Sequence, residues 1–362
     1  MKQRALGRSG LHIPPLVFGG NVFGWTVDEA GSFSLLDALV DAGLNFIDTA
    51  DVYSRWASGN QGGESETLIG KWLKRTGKRD RVLLATKVGM EMGPDAKGLS
   101  PAYIRRALDD SLRRLQTDYV DLYQSHADDP DTPLTDTLGE YARQIEAGRV
   151  RAIGASNYSA VRLSEALITS ERHNLPRYES IQPEYNLYAR EPFESGLQAL
   201  VKAQDLGAIS YYALASGFLT GKYRSAADAG KSRRGRKIVE TYLNERGLRI
   251  LKALDEVAED AGCTPAQAAL AWEIAQPGIT APIVSATTLV LLDELVKAAT
   301  LELSRDQLAP AQPGQPNGAE AARARRADAA RRAARAGAHL DPPAQVRVMA
   351  GGRRVAFTRS TT

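Results

Sequence analysis

The chain alternates between short apolar runs and longer segments in which apolar residues recur at helical spacing. The runs return every thirty to forty residues, roughly the period of a βα unit in a parallel barrel. Six runs end on residue types that carry chemistry: Asp48, Lys87, His126, Ser156–Asn157, Gln182 and Tyr211. Because a parallel barrel gathers the C-terminal ends of its strands at one mouth, we predict an α/β fold, a (β/α)8 TIM barrel, with these side chains in one site.

Eight strand–helix units fit this pattern, and a short hairpin in residues 1–15 precedes them. The predicted strands are Leu16–Phe18, Phe46–Asp48, Val82–Thr86, Val120–Ser125, Ala152–Ser156, Ser180–Pro183, Ala208–Tyr212 and Ile279–Ser285. The predicted helices lie near Asp28–Asp41, Glu64–Arg75, Pro101–Leu115, Leu134–Ala147, Ala160–Arg172, Phe193–Asp205, Glu240–Ala261 and Leu289–Ala298, with one further helix over Thr264–Ala275.

Local signals mark where several helices begin and where one loop is unusually long. Ser100-Pro101, Thr132-Pro133 and Thr264-Pro265 each place a hydroxyl before a proline, which predicts an N-cap followed by a first-turn proline. Between the seventh strand and its helix lies a polar, Gly-rich and basic segment, Ala215–Val239. A loop of this length inside a compact domain is usually functional.

Composition and charge indicate a cytoplasmic globular protein. Hydrophobic residues make up 43% of the chain and charged residues 25%, and the single cysteine, Cys263, excludes an internal disulfide. Neither a signal-peptide pattern nor an apolar run of membrane-spanning length is present in the sequence, so we expect no membrane partner. Residues 1–308 carry a net charge of −4, which argues against a nucleic-acid partner. The oligomeric state is left open.

The last 54 residues differ in composition from the rest. Residues 309–362 are rich in Arg, Ala and Pro, with ten arginines against three acidic residues. Few large apolar side chains are present to offset the entropy of ordering, so we predict a barrel domain over 1–308 and a disordered basic tail over 309–362. A tail that crosses the barrel mouth is the alternative.

We expect deletion of residues 309–362 to leave the melting temperature and catalysis nearly unchanged, because every predicted strand and candidate site residue precedes them. Thermal unfolding and steady-state kinetics of the shortened chain measure this. A Michaelis constant raised several-fold would instead favour a tail that shapes the substrate pocket.

Three neighbouring strand ends deliver four chemical groups to one quadrant of the predicted mouth. Asp48 and Tyr53 follow the second strand, Lys87 ends the third, and His126 follows the fourth. An unperturbed tyrosine, with a pKa of about 10, is a poor acid catalyst at neutral pH. A neighbouring lysine cation is expected to lower that pKa, and a carboxylate keeps the lysine charged. The combination indicates a proton donor. No cluster of residues has metal-ligand spacing, and no metal is expected.

The motifs around these residues resemble those of the aldo-keto reductase superfamily. The matching stretches, in family order over about residues 1–305, are Asn45–Tyr53, Gly62–Glu66, Ala85–Lys87, Gln124–His126, Gly154–Tyr158, Gln182–Asn186 and Leu214–Tyr223. The run from Leu219 to Arg224 resembles the bacterial subgroup related to potassium-channel β subunits. The resemblance implies reduction of aldehyde or ketone carbonyls with NAD(P)H.

The resemblance also implies a role for each candidate residue. Tyr53 is the implied general acid, Asp48 and Lys87 tune it, and His126 orients the substrate carbonyl. Ser156, Asn157 and Gln182 are implied to bind the nicotinamide carboxamide, and Tyr211 to stack on its ring. The implied contacts to the rest of the cofactor come from Leu214, Ser216, Leu219, Lys222, Thr287, Thr288 and Glu294.

Two leucines depart from the family pattern at the adenosine end of the cofactor. Leu291 and Leu295 stand where polar contacts are usual. The loop cations Arg233, Arg234 and Lys237 still favour a 2′-phosphate, so NADPH is the expected cofactor, with NADH as an alternative. No G-x-G-x-x-G motif follows any strand, which excludes a Rossmann cradle.

Two questions remain open from the sequence. Trp25 and Trp56, in the first and second mouth loops, fit either an aromatic wall of the substrate pocket or simple loop packing. The chain also fits a cofactor-binding regulatory subunit similar to channel β subunits, although no surface for a membrane partner is evident. The favoured prediction is an NADP-dependent oxidoreductase acting on a small carbonyl substrate.

Overall fold

Eight parallel strands close into a barrel in the computed structural model, which describes residues 1–308. The strands in chain order are β1 (Arg4–Ala5), β2 (His12–Ile13), β3 (Val17–Gly19), β4 (Phe46–Asp48), β5 (Leu83–Val88), β6 (Val120–Ser125), β7 (Val150–Ser156), β8 (Tyr178–Gln182), β9 (Gly207–Ser210) and β10 (Ala281–Val284). Strands β3 to β10 form the barrel, and β1 and β2 form an antiparallel hairpin. The predicted TIM barrel is confirmed, whereas the prediction for 309–362 lies outside the described residues.

Helices surround the barrel, as the alternating pattern predicts. They are α1 (Glu29–Ala42), α2 (Glu64–Thr76), α3 (Pro101–Leu115), α4 (Leu134–Glu146), α5 (Ala160–His173), α6 (Gln198–Gln204), α7 (Gly235–Tyr242), α8 (Glu245–Ala261), α9 (Pro265–Ile274), α10 (Leu289–Thr300) and α11 (Arg305–Leu308). Ser100 and Thr264 cap α3 and α9 as predicted, each accepting a hydrogen bond from the backbone N–H of the third residue of its helix.

The predicted cap at Thr132 is wrong. Helix α4 begins at Leu134, and its N-cap is Pro133, which has no side chain able to accept a hydrogen bond. The Thr132 hydroxyl instead donates to a carboxylate oxygen of Asp129 at 2.7 Å. Thr132 therefore lies one residue before the N-cap position, and its hydroxyl bonds to Asp129 and not to the first turn of α4.

The long segment after β9 is more ordered than predicted. It contains two 3₁₀ turns, Ala215–Thr220 and Ala226–Lys231, and then α7. The single helix predicted over Glu240–Ala261 is wrong, because Leu243 leaves the helical conformation and Asn244 caps a new helix by accepting from Gly247 N. The helix predicted near Phe193 likewise begins with a π turn before α6.

The two ends of the barrel interior differ in polarity. At the bottom, Leu6, Leu11 and Ile13 of the N-terminal hairpin pack against the inward residues of the strands, among them Phe46 and Leu122. Since side chains alternate along a strand, the next inward positions lie one layer higher, toward the mouth. Those positions are mainly polar. The apolar hairpin therefore closes the bottom of the barrel, and the candidate site residues lie at the mouth.

Contacts between the first and last strands close the barrel. β10 pairs with β3 in parallel through Ile283 and Val17. The Ser285 hydroxyl donates to the Gly19 carbonyl at 2.7 Å, across a sequence separation of 266 residues. The Arg4 guanidinium fastens the hairpin to the same seam, because it donates to the carbonyl of Thr280 at 2.8 Å.

One glycine allows two outer helices to approach closely. Gly70 lies inside α2, and a Cβ added there would meet the backbone of α3, with Leu115 C at 2.7 Å. The same two helices are joined by an ion pair between Glu66 and Arg114, whose Nε donates at 2.7 Å. Helices α2 and α3 thus pack backbone against backbone behind strands β4 and β5.

Candidate active site

The upper inward layer of the barrel brings five polar side chains together. Strand register places Lys87 opposite Gln124 and Ser156 opposite Gln182, and Asp48 ends β4 beside them. All five side chains are buried. Four of them are residues that the sequence analysis selects, and Gln124 is an addition.

Lys87 is held by three acceptors. Its Nζ donates to Asp48 Oδ2 at 2.6 Å, to the Thr49 carbonyl at 2.9 Å and to the Tyr53 hydroxyl at 2.9 Å. An ammonium group has three protons, so this geometry uses all of them. The pKa of Lys87 is lowered by burial, and the charge of Asp48 opposes that shift.

Two amides hold the other oxygen of Asp48. Gln124 Nε2 and Gln182 Nε2 each donate to Asp48 Oδ1 at 3.1 Å. Gly154 leaves room for this arrangement, because a Cβ there would lie 3.2 Å from Gln124 Cγ and closer still to Ser180 Oγ. The signal for Gln124 in the sequence is its position two residues before His126, on the inward side of β6. Gln182, expected at the nicotinamide, is bonded into the base of the acid site.

Tyr53 lies above this base with its hydroxyl between Lys87 and Asp48. The hydroxyl is 3.2 Å from Asp48 Oδ2, and Lys87 Nζ also lies 4.5 Å from the centre of the phenol ring. Burial raises the pKa of Tyr53 well above its ordinary value, and the charge of Asp48 raises it further. The expected lowering of this pKa by Lys87 is therefore wrong in net direction, because desolvation of the phenolate and the charge of Asp48 dominate. Tyr53 is a protonated phenol at neutral pH.

His126 completes the quadrant. Its ring centre is 6.1 Å from that of Tyr53, and its carbonyl accepts from Asn157 Nδ2 at 2.8 Å. Burial lowers the pKa of His126 well below its usual range, and the charge of Lys87 lowers it further. The imidazole is therefore neutral and can donate a hydrogen bond to a carbonyl oxygen without carrying a charge.

The candidate nicotinamide residues surround the neighbouring strand ends. Tyr211 donates through its hydroxyl to Asn157 Oδ1 at 2.9 Å, and Ser156 Oγ donates to the Gln182 carbonyl at 3.0 Å. Burial raises the pKa of Tyr211 to about 12. These side chains place hydroxyl and amide donors and acceptors beside one aromatic ring. Such a set can bind an aromatic carboxamide.

The segment after β9 forms a concave stretch of backbone suited to an anion. Ala215, Ser216 and Gly217 all have positive φ, and Leu214 accepts from the N–H groups of Gly217 and Leu219. A Cβ added at Gly217 would lie 3.9 Å from Lys222 Nζ. Left-handed turns that point backbone N–H groups inward bind phosphates, and a lysine adds charge. The Ala215, Gly217 and Leu219 N–H groups are already bonded to backbone carbonyls, so the fit to the pyrophosphate of a dinucleotide rests on Ser216 and Lys222.

The candidate adenosine residues lie at the start of α10. Thr287 and Thr288 are exposed, and the Thr288 hydroxyl caps α10 by accepting from Leu291 N at 3.2 Å. Glu294 accepts from Gln267 Nε2 at 3.0 Å and so links α10 to α9. Leu291 is exposed, but Leu295 packs into the core. Only Leu291 therefore stands at the surface where a polar contact is expected.

The two mouth tryptophans contact each other, and one of them contacts Tyr53. Trp25 and Trp56 pack edge to face with ring centres 5.8 Å apart, and Trp56 lies 5.9 Å from Tyr53. Trp56 is half exposed, and the guanidinium of Arg234 lies 5.5 Å from the Trp25 ring. The first and second mouth loops and the segment after β9 therefore meet at one aromatic surface.

A parallel barrel with a phenol, an ammonium, a carboxylate and a neutral imidazole at its mouth defines the class of a carbonyl oxidoreductase. Residues 15–312 match the model of the Aldo/keto reductase family, and the chain belongs to that family. Members of this family typically use a nicotinamide cofactor. Family membership supports oxidoreductase activity on a small-molecule carbonyl substrate.

Three relatives illustrate the range of similar proteins. The chain is 33% identical to the uncharacterized oxidoreductase YrpG of Bacillus subtilis, over 85% of this chain and 94% of that protein. It is 34% identical to a probable voltage-gated potassium channel subunit beta of rice (Oryza sativa), over 82% and 91%. It is 32% identical to the L-glyceraldehyde 3-phosphate reductase of Escherichia coli K12, over 85% and 91%. The relatedness to channel β subunits is confirmed.

Two structural features are absent from residues 1–308. Within that range no helix combines the length and apolar character needed to cross a membrane. The same residues include no group of three or more His, Cys, Asp or Glu side chains arranged to hold a metal ion.

Proposed function

We propose that this protein reduces an aldehyde or ketone to an alcohol with NADPH as the preferred cofactor and Tyr53 as the general acid. The observation that carries the proposal is the hydroxyl of Tyr53, which lies 2.9 Å from Lys87 Nζ while the same nitrogen is fixed by Asp48 at 2.6 Å. A reduced nicotinamide supplies the hydride when bound. The chain's own residues then have to orient the carbonyl and deliver one proton to its oxygen.

Each of the four groups has one task in this proposal. His126 donates a hydrogen bond to the carbonyl oxygen, and its neutral state avoids a competing acid. Tyr53 gives its proton to the developing alkoxide, and Lys87 stabilises the phenolate that remains because it already donates to that oxygen. Asp48 keeps Lys87 charged and in place, and Gln124 and Gln182 keep Asp48 in place.

The cofactor is held, in this proposal, by the strand ends beyond the tetrad. Ser156, Asn157 and Tyr211 contact the nicotinamide, and the left-handed turn at Ser216 and Lys222 holds the pyrophosphate. Trp25 and Trp56 form the outer wall of the substrate pocket, which the contact of Trp56 with both Tyr53 and Trp25 supports.

A carbonyl panel tests the proposed reaction. Cofactor oxidation is followed at saturating NADPH and NADH with aliphatic and aromatic aldehydes, ketones and sugar carbonyls. A phosphorylated aldehyde belongs in the panel because one relative is named for such a substrate. Substrate-dependent oxidation supports the proposal. Tight cofactor binding with no turnover on any carbonyl would contradict it and favour a regulatory binding subunit.

We expect NADPH to bind more tightly than NADH by only about two- to tenfold, which corresponds to at most about 1.4 kcal/mol of binding free energy. Exposed cations of the segment after β9 attract a 2′-phosphate, whereas Leu291 offers it no charge. Quenching of protein fluorescence by each cofactor measures both dissociation constants. Tighter binding of NADH would contradict the proposed cofactor.

A charge added at the start of α10 sharpens this test. Leu291→Arg should raise the preference for NADPH by about tenfold, since one good phosphate contact contributes roughly 1.4 kcal/mol. Val290→Arg is the matched control, because it adds the same charge in the same turn at an exposed position that points in another direction along the helix. Equal effects of both substitutions would show that only the overall charge matters.

A further inference from the structure

A second carboxyl in the segment between Asp48 and Tyr53 has no role in the proposed reaction. Asp51 is buried, with 2% of its surface exposed, and neither carboxyl oxygen makes a hydrogen bond of normal geometry within residues 1–308, although the nearby Val52 N–H offsets a small part of the cost of burial. A buried carboxylate without a partner carries a large desolvation cost, so such a group is stable only in its neutral, protonated form. Burial raises the pKa of Asp51 to about 8, and the charge of Glu66 raises it further.

The groups around Asp51 do not offer it a free cation. Glu66 of α2 is also fully buried, and it accepts a hydrogen bond from Arg114 Nε at 2.7 Å. Lys87 has used its three protons on other acceptors. The titratable and charged groups that influence or are influenced by Asp51 come from five packed elements: Glu66 (α2), Lys87 (β5), Tyr103 and Arg114 (α3), Tyr123 (β6) and Tyr141 (α4).

Asp51 is also joined to the catalytic lysine through the backbone. Its N–H donates to the carbonyl of Lys87 at 3.4 Å, and the side chain of the same lysine donates to Tyr53. The neighbouring Thr49 carbonyl accepts from that same Nζ. The turn that contains Asp51 therefore sets both the backbone and the side chain of Lys87, and any charge on Asp51 is placed behind them.

We propose that the turn of Asp51 positions Lys87 through its backbone, that the Asp51 side chain is an uncharged carboxylic acid at neutral pH, and that its ionisation in alkaline solution weakens proton donation by Tyr53. The part of this inference that concerns catalysis rests on the proposed function. The direction follows from charge. A carboxylate at Asp51 interacts with the charge of Lys87 and offsets part of the positive charge that stabilises the Tyr53 phenolate, so the phenol becomes a weaker acid.

Ionisation of Asp51 predicts a fall in the rate of carbonyl reduction near pH 8, which titration of Tyr53 or His126 cannot produce. The pKa of Tyr53 is raised above its ordinary value and that of His126 is lowered well below its own, so neither group titrates near pH 8. We expect the wild-type rate of carbonyl reduction to fall by about three- to tenfold between pH 7 and 9, the scale of up to one pKa unit in the donor. The side chain of Asp51→Asn is neutral at every pH, so the rate of this variant should stay constant between pH 7 and pH 9.

A buried carboxyl elsewhere in the barrel supplies the control. Glu273 of α9 is fully buried and accepts from the Ser210 hydroxyl, and its other oxygen has no partner within the described chain. Burial raises its pKa to about 8 as well. Glu273 lies against β9, away from Lys87. Glu273→Gln should therefore retain the alkaline fall in rate that Asp51→Asn removes.

Thermal unfolding at pH 5 to 8 gives a readout that does not depend on turnover. A carboxyl whose pKa is raised in the folded state releases its proton on unfolding, so stability is lost as pH rises from about 4 to about 8. The melting temperature of Asp51→Asn should thus rise relative to wild type across this range. Glu273→Gln should show the same trend.

Each result decides the matter. A flat rate profile in Asp51→Asn together with a relative gain in melting temperature supports the proposal, and Asp51→Ala should repeat the flat profile if the asparagine variant folds poorly. An alkaline fall in rate that is unchanged in both variants overturns it, as does a loss of melting temperature that grows with pH. A wild type that reduces no carbonyl at any pH contradicts the proposed function instead, and the unfolding curves then still decide whether Asp51 is neutral.

Discussion

Tyr53→Phe should lower kcat for carbonyl reduction by about 10²–10⁴-fold, the range that a general acid contributes. The substitution removes only the hydroxyl that receives Lys87 Nζ, and the ring keeps its contacts with Trp56 and His126. Because the candidate cofactor residues follow other strands, we expect the dissociation constant for NADPH to stay within about twofold, which is less than 0.5 kcal/mol.

Single-turnover kinetics and fluorescence titration measure the two quantities separately. Tyr119→Phe is the matched control, since this tyrosine lies at the opposite end of β6 with its ring against Arg79. It should retain wild-type turnover. More than a tenth of wild-type activity in Tyr53→Phe would mean that another group, or water, supplies the proton.

Gly70→Ala should destabilise the fold by about 3 kcal/mol or more, at the upper end of the cost of overpacking. The added methyl group would overlap the backbone of Arg114 and Leu115, which cannot rotate away as a side chain can. Separating α2 from α3 would also disturb the bond between Glu66 and Arg114. Thermal unfolding should show a melting temperature lower by about 6 °C or more.

Gly139→Ala is the control for helix propensity. Gly139 lies inside α4, and no described heavy atom lies within 4 Å of a Cβ added there. The same substitution should therefore stabilise the protein by about 0.5–1 kcal/mol, because alanine favours the helix. If Gly70→Ala were as stable as Gly139→Ala, the close approach of α2 and α3 would not be a feature of the folded protein.

The main features of the barrel and of the acid site can be predicted from local pattern. Alternation within short strands places Asp48, Lys87 and Gln182 on the inward side, and closure of a parallel barrel brings distant strand ends together. Helix boundaries follow from caps such as Ser100 and Thr264. These features depend on neighbours in the chain and on one rule of topology.

The features that escape the sequence depend on contacts between segments far apart in the chain. The amide of Gln182 reaches Asp48, 134 residues away, which no local pattern indicates. The net pKa shift of Tyr53 depends on how completely the folded barrel excludes water. Asp51 is part of the matching motif, yet its lack of a partner becomes evident only once α2 and α3 are packed behind it. Thr132 is a local exception, because α4 begins one residue later than the Thr-Pro pair predicts and Pro133 holds the N-cap position.

The seam between β3 and β10 has a consequence for biosynthesis. The two strands that close the barrel are joined by a bond across 266 residues, and the hairpin is fastened to the same seam across 276. At a translation rate of about 5–20 residues per second, the ribosome needs roughly 10–50 s to make the partner of the first barrel strand. During that interval the edge of β3 is unpaired and the apolar hairpin has only part of its packing surface. Nascent chains in which β10 has not yet been synthesised should be the form most prone to aggregate and most dependent on chaperones.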